Sequence, residues 1–347
     1  MLVAGEYKRL LWKRISFGIL LIFLLIFLSA VALGLGAYQM SVKELFNAIL
    51  EGSPVLWNVR IPRIVSAIFV GASLAIAGAV MQCILKNPLA SPFTLGISQG
   101  AAFGAAIAIV YLGAGQMHRI GENLTIFNPY LVPLFAFFGS LISAFVILAI
   151  AKLRDLTPEA IILAGVAMSA LFQAGVMLIQ YFATDVQVAS IVFWTFGDVG
   201  RARWIEIYLI IATFLLCFTY FFYHRWDYNS LLAGDETAIS LGVNPQRLRL
   251  EGMLLSSLLT AVCVSFTGII GFIGLVSPHI VRLVIGGDYR FLIPTSAFVG
   301  AIILLASDTL GRLVISPVII PVGIITSIIG APMFIYLLLR GGRNVRG

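Results

Sequence analysis

Long apolar runs, each roughly the length of one bilayer crossing, recur along the whole chain with short polar joints between them. They predict membrane spans over Ile15–Ala37, Ile64–Cys83, Phe93–Leu112, Pro129–Ala151, Pro158–Gln180, Arg203–Tyr223, Glu251–Ile270, Gly271–Gly286, Phe291–Arg312 and Ile320–Arg340. That is about ten helices; the eighth is short, and the third and tenth are flanked by Pro and Gly. No joint is long enough for a soluble domain, so residues 1–347 read as one all-α, polytopic transmembrane domain.

Composition agrees with the pattern: 61% of residues are hydrophobic and 11% charged, a balance that suits lipid and leaves a soluble fold without polar surface. The net charge of +7 raises the question of nucleic acid or a membrane surface, and its distribution answers for the membrane. With the N-terminus inside, the inner side carries Lys8, Arg9, Lys13, Arg14, Lys86, Lys152, Arg154, Arg225, Arg247, Arg249, Arg282, Arg290, Arg340, Arg343 and Arg346. The outer side carries Lys43, Arg60, Arg63, Arg119, Arg201, Arg203 and Arg312. This excess of about two to one obeys the positive-inside rule, and an even number of spans puts both termini in the cytoplasm. The first run continues to Ala37, too long for the apolar region of a cleaved signal. Cys83, Cys217 and Cys263 have no disulfide or ligand spacing, and His118, His224 and His279 do not converge, so no metal site is expected. Asn123-Leu-Thr125 matches a glycosylation sequon on an outer loop, a short and weak pattern.

The chain has no GxxxxGK[ST] loop to cradle nucleotide phosphates, and nothing in it reads as a catalytic residue. Any use of ATP and Mg therefore falls to a partner, and the chain itself is not an enzyme. The span centres are almost without Asp, Glu, Lys and Arg, which weakens the alternative of an ion-coupled secondary transporter. Asp308 comes nearest, and Arg312 one turn on reads as its local ion-pair partner.

Three segments interrupt the plain helices. In Lys86–Gly100 two prolines end a helix among Asn, Ser and Gly that suit caps and turns. The segment reads either as a turn at the mouth of a pathway or as an ordinary loop. The joint from His224 to Glu251 predicts a short helix from Asp235, with acids in its first turn and a stop at Gly242. A second short helix comes next, capped by Asn244 with Pro245 at its first position. Together they form a knob for a soluble partner, or a loop lying on the membrane. In Gly268–His279 spaced glycines allow close helix approach, and Ser277-Pro278 marks a break. Arg60, Arg63 and Arg312 sit on the outer side, where arginine forks would receive carboxylates or snorkel to headgroups. In span five, Met168, Ser169, Phe172, Gln173, Val176 and Gln180 recur at helical spacing, as a pathway wall or as ordinary packing.

At these motifs the sequence resembles the FecCD-type permeases, the membrane subunits of ABC importers for ferric siderophores, haem and vitamin B12. The matching residues are Arg60-Ile-Pro-Arg63, Gly71-Ala-Ser-Leu-Ala-Ile-Ala-Gly78-Ala-Val-Met-Gln82, Asn87-Pro-Leu-Ala90-Ser-Pro92, Leu95-Gly96, Gly234-Asp-Glu with Leu241-Gly242, Gly271-Phe-Ile-Gly-Leu-Val-Ser-Pro-His279-Ile-Val-Arg282 and Gly330-Ala-Pro332. They span almost the whole chain in order. The resemblance implies the ABC importer permease fold in a prokaryotic cell membrane. It further implies a second copy in a homodimer, two ATPase subunits on the cytoplasmic side and a substrate-binding protein outside. By motif, residues 231–249 would be the coupling helices, with Leu232, Gly234, Asp235, Glu236, Ala238, Leu241, Gly242, Asn244 and Pro245 meeting the ATPase. Arg60, Arg63 and Arg312 would dock the binding protein, and Asn87, Pro88, Leu89, Thr157 and Pro158 would form the cytoplasmic gate, Pro158 falling where the family varies. Met168, Phe172, Gln173 and Gln180 are the candidate pathway lining. The cargo stays open among ferric siderophore, cobalamin, haem and an oxyanion such as molybdate.

Overall fold

The computed structural model describes residues 2–35, 42–115, 117–120, 123–126 and 128–341. Fourteen α-helices are assigned among them. They are α1 (Leu2–Gly34), α2 (Val42–Leu50), α3 (Ile61–Ile84), α4 (Ile97–Tyr111), α5 (Leu131–Lys152), α6 (Pro158–Phe182), α7 (Asp185–Thr195), α8 (Trp204–Tyr223), α9 (Arg225–Leu232), α10 (Asp235–Ser240), α11 (Pro245–Thr267), α12 (Ile273–Ile285), α13 (Tyr289–Leu313) and α14 (Val322–Gly341). A π-helical turn, Leu56–Arg60, runs directly into α3. The only strands among the described residues form an antiparallel hairpin of β1 (Met117–Ile120) and β2 (Asn123–Ile126), with Met117 opposite Ile126 and Ile120 opposite Asn123. The sequon lies on β2.

Among the described residues seven helices are long and apolar enough to cross a membrane, fewer than the ten expected. The other three predicted spans are the shorter apolar stretches Ile97–Tyr111, Ile273–Ile285 and Val322–Tyr336. A helix the length of α4 reaches about 22 Å, short of a hydrocarbon core of roughly 30 Å. Both α4 and α12 begin only after a non-helical stretch has used part of the expected span. Residues 85–96 descend from the end of α3 to Gly96, whose φ of +82° opens α4. Residues 268–272 separate α11 from α12. The second break is therefore not at Ser277-Pro278 as expected, since Pro278 sits inside α12. Proline lacks an N–H, so the carbonyl of Gly274, four residues back, loses its helical partner. The Gln82 amide of α3 takes that carbonyl at 3.3 Å, and the Gln82 oxygen accepts from Arg282 at 2.9 Å.

α3 is the pillar of the protomer, with 83% of its most apolar window buried. Glycine makes this possible. A Cβ on Gly71 would lie 2.4 Å from the Gly300 carbonyl oxygen of α13, and one on Gly78 would lie 1.9 Å from that of Gly274 in α12. Small residues bring these backbones into contact, which is how helices associate where lipid and leucine are equally apolar. By contrast α1, α6 and α8 keep most of their surface outward, with 11%, 28% and 28% of their windows buried. α7 was not anticipated; it packs against α4 beyond the end of α6.

Candidate functional site

Side-chain contacts gather the predicted residues at two opposite ends of the bundle. At one end stand α9 and α10. Gly234 at φ +121° opens α10, Asp235 and Glu236 fill its first turn, and Gly242 at φ +83° ends the turn after it. Asn244 accepts from the Arg247 N–H at 3.0 Å and Pro245 takes the first helical position, as expected. The helix they start is the long α11, however, and not a second short one. α10 buries Ala238, while Leu232 at the end of α9, Ile239 in α10 and Leu241 just after it are exposed, at 47%, 62% and 66%. Three apolar side chains on a protruding polar segment are costly in water and favour a partner surface.

Asp235 ties this projection to the core. Its carboxylate accepts from Lys86 at 2.7 Å and from Arg249 Nη2 at 2.8 Å to each oxygen. Burial pushes the Asp235 carboxyl up, but hydrogen bonds from Lys86 and Arg249 and their charges outweigh it and hold it below the ordinary carboxylate range. Arg249, only 4% exposed, also donates from Nε to the Ile84 carbonyl in the last turn of α3, at 3.1 Å. A second tie runs from α9. Asn229 donates to Asp288 at 2.9 Å and accepts from the Tyr289 N–H at 2.8 Å. Asp288 caps α13 and pairs with Arg14 of α1 at 2.9 Å and with Arg290 at 2.6 Å. Burial pushes the Asp288 carboxyl up, but the bonds from Arg290 and Asn229 prevail and set it at about 2. None of Asn229, Arg249 or Asp288 was singled out from sequence. An Asp directly before a helical run is an N-cap signature, so Asp288 was legible; the other two were not.

The turn after α3 lies beside this projection. Asn87 Oδ1 accepts from the Leu89 N–H at 2.9 Å, closing an Asx turn that leaves Pro88 and Leu89 exposed. Thr94 and Ser91 bond each other's backbone N–H at 2.9 and 3.2 Å and stiffen the segment leading into α4. Thr157 caps α6 by accepting from the Ala160 N–H at 3.4 Å, and Pro158 begins that helix. A cleft of about 640 Å³ brings Thr157 together with Asp235, Asn244, Pro245 and Arg249. The two parts of the expected gate thus both adjoin the α10 projection.

The expected wall in α6 does not hold together as one exposed face. Met168 and Phe172 are buried, each 8% exposed, and the Phe172 ring packs at a tilt against Phe103 of α4, centroids 5.5 Å apart. Gln173 is exposed and Gln180 half-buried. The spacing was helical, but one face of α6 packs on α4, and an apolar side chain has the same composition facing protein, lipid or pathway.

At the opposite end Arg60, Arg63 and Arg312 do converge, though as buried or half-buried partners of other groups. Arg63 grips Asp308 with Nε at 2.9 Å and Nη2 at 2.8 Å, and reaches Asp198 at 3.1 Å. Arg312 pairs with the same Asp308 at 3.2 Å, the local pair expected, and donates to the Leu35 carbonyl at 2.9 Å. Arg60 donates to the Leu33 carbonyl near the end of α1. Among the described residues, no group of three or more His, Cys, Asp or Glu is arranged to hold a metal ion.

The FecCD transport family matches residues 21–340. A relative in Methanocaldococcus jannaschii, named as ABC transporter permease protein MJ0087, is 58% identical and covers 99% of both chains. The hemin transport system permease protein HmuU of Yersinia pestis is 37% identical over 94% of this chain and 97% of its own. A solved structure described as an inward-facing conformation of a metal-chelate type ABC transporter superposes with a TM-score of 0.83 at 32% identity, covering 94% of this chain and 99% of that one.

Proposed function

This chain belongs to the FecCD transport family, and from that premise we propose that it is the permease subunit of an ATP-driven ABC importer carrying a metal chelate inward. Family membership sets aside the ion-coupled secondary transporter. Within the chain, the observation that carries the reading is the α9–α10 projection. It offers exposed Leu232, Ile239 and Leu241 to a partner while its polar residues are bonded into the bundle.

The partner is an ATPase dimer that binds ATP and Mg, seated on the end that carries α10; that end faces the cytoplasm. The start of α1 joins the same end through Arg14, which supports a cytoplasmic N-terminus. The three shorter apolar helices complete a set of ten across a prokaryotic cell membrane, and the C-terminus is then also inside. A second copy meets this one along the outward face of α6, where Gln173 and Gln180 border the pathway. Asn87–Leu89 and Thr157–Pro158 form the inner gate, next to the projection that moves when ATP binds. The permease does no covalent chemistry; it exchanges two conformations that its partners stabilise differently.

A substrate-binding protein docks at the opposite end. There Arg60, Arg63 and Arg312 gather three guanidinium groups beside Asp198 and Asp308. Arginine forks suit the carboxylates of a docking protein, which would exchange with the partners these groups hold in the isolated chain. The cargo class follows the relatives, one of them named for hemin, and the individual chelate is chosen chiefly by the binding protein.

The test is affinity capture of the tagged chain from its native membrane in mild detergent, followed by mass spectrometry. A P-loop ATPase in equal amount is expected, lost when Leu232, Ile239 and Leu241 are all changed to Asp. A folded chain that elutes without any ATPase, even after cross-linking, would overturn the reading.

A further inference from the structure

We propose that Arg249 is a positioning residue that carries displacement of α10 into the end of α3, and so into the gate turn beyond it. The inference rests on the importer reading above and names the part that transmits force within it. The bonds that α10 makes through its side chains to other elements converge on Asp235. One arm, to Lys86, is solvent-exposed on both sides, at 38% and 38%. Exposed pairs of this kind are weak and easily replaced by water.

The Arg249 arm ends on the same carboxylate but differs at its basic end. The Arg249 side chain is 5% exposed, so water has little access to the guanidinium. Nη2 serves both oxygens of Asp235 while Nε holds the carbonyl of Ile84, so one planar group spans α10 and α3 from its seat in α11. Ile84 is the last residue of α3, and Lys86, two residues on, has a φ of +46°. A backbone that reverses so sharply turns a small shift of the Ile84 carbonyl into a reorientation of Asn87–Leu89. α3 itself yields little, because its glycines lock it to α12 and α13. Lysine cannot replace arginine here: a single ammonium has no fork to hold two acceptors at a fixed angle.

The experiment uses the assembled importer in lipid, with Cys83, Cys217 and Cys263 changed to Ala and a spin label placed at Leu89→Cys of both permease copies. The label–label distance is measured without nucleotide and with ATP and Mg trapped by vanadate. The same preparations are assayed for ATP hydrolysis and for bound ATPase. Trapping is expected to shift the distance in the labelled parent. R249K is expected to cut that shift to less than half with the ATPase still bound and turning over, whereas K86Q retains most of it.

If R249K does not assemble, D235N, on the solvent-facing side of the same link, is expected to give the same loss. A purely supporting role would lower the thermal midpoint of R249K and leave the nucleotide-driven shift intact, and that result would overturn the proposal. A shift lost in K86Q and kept in R249K would overturn it as well. Failure of the importer reading looks different, because no ATPase would then be bound to the labelled parent.

Discussion

Asp308 shows how far a single residue could be understood before its surroundings were known. Its pairing with Arg312 is a matter of helical spacing and was legible one turn away. Its stronger partner, Arg63, is 245 residues distant in sequence and no local pattern points to it. With its carboxylate fully buried between two guanidinium groups, Asp308 is a strut whose removal strands buried charge. D308N is therefore expected to destabilise the purified protein by about 3–5 kcal/mol, read as an early thermal transition. D198N, half-exposed and holding Arg63 by one contact, should cost far less. Asp288 gives a pH signature. Its folded carboxyl lies below the value of a free one, so its contribution is complete above about pH 4 and is lost as pH falls towards about 2. The thermal midpoints of wild type and D288N should thus differ by a constant amount from about pH 8 to 5 and approach each other only in stronger acid.

At the scale of elements, the chemistry of helix ends was readable and the depth at which helices begin was not. Gly234, Gly242, Asn244 and Pro245 each have a local physical reason for their place, and each stands where that reason put it. The half-length helices α4 and α12 escaped because their preceding turns are as apolar as the helices themselves. Phe93, Leu95 and Ile270 read as span whether the backbone is coiled or extended. The same blindness merged the two faces of α6. Single cysteines placed in a cysteine-free chain should separate them. Those at Phe172 and Met168 should resist a membrane-permeant maleimide, and one at Gln173 should react in the isolated protomer. Protection of Gln173→Cys on assembly, with cross-linking between copies, would support α6 as the pairing face; unchanged labelling would remove it.

Across the whole molecule, the asymmetry of charge and the overall helical plan could be taken from the sequence, while the arrangement of the helices could not. Which spans face lipid depends on glycines meeting across long intervals: Gly71 on Gly300, and Gly78 on Gly274. That arrangement sets a schedule for biogenesis. The chain is made from its N-terminus, so α3 leaves the ribosome long before α12 and α13 exist to receive its small-residue surfaces. Until then it waits among lipids or insertion factors, a span whose natural neighbours have not been synthesised. A nascent chain halted after α8 should accordingly be recognised as incomplete and degraded, whatever the quality of its individual helices. Supplying residues 245–347 as a separate polypeptide should rescue it, and pulse–chase measurement of its lifetime would show whether the glycine contacts are what quality control awaits.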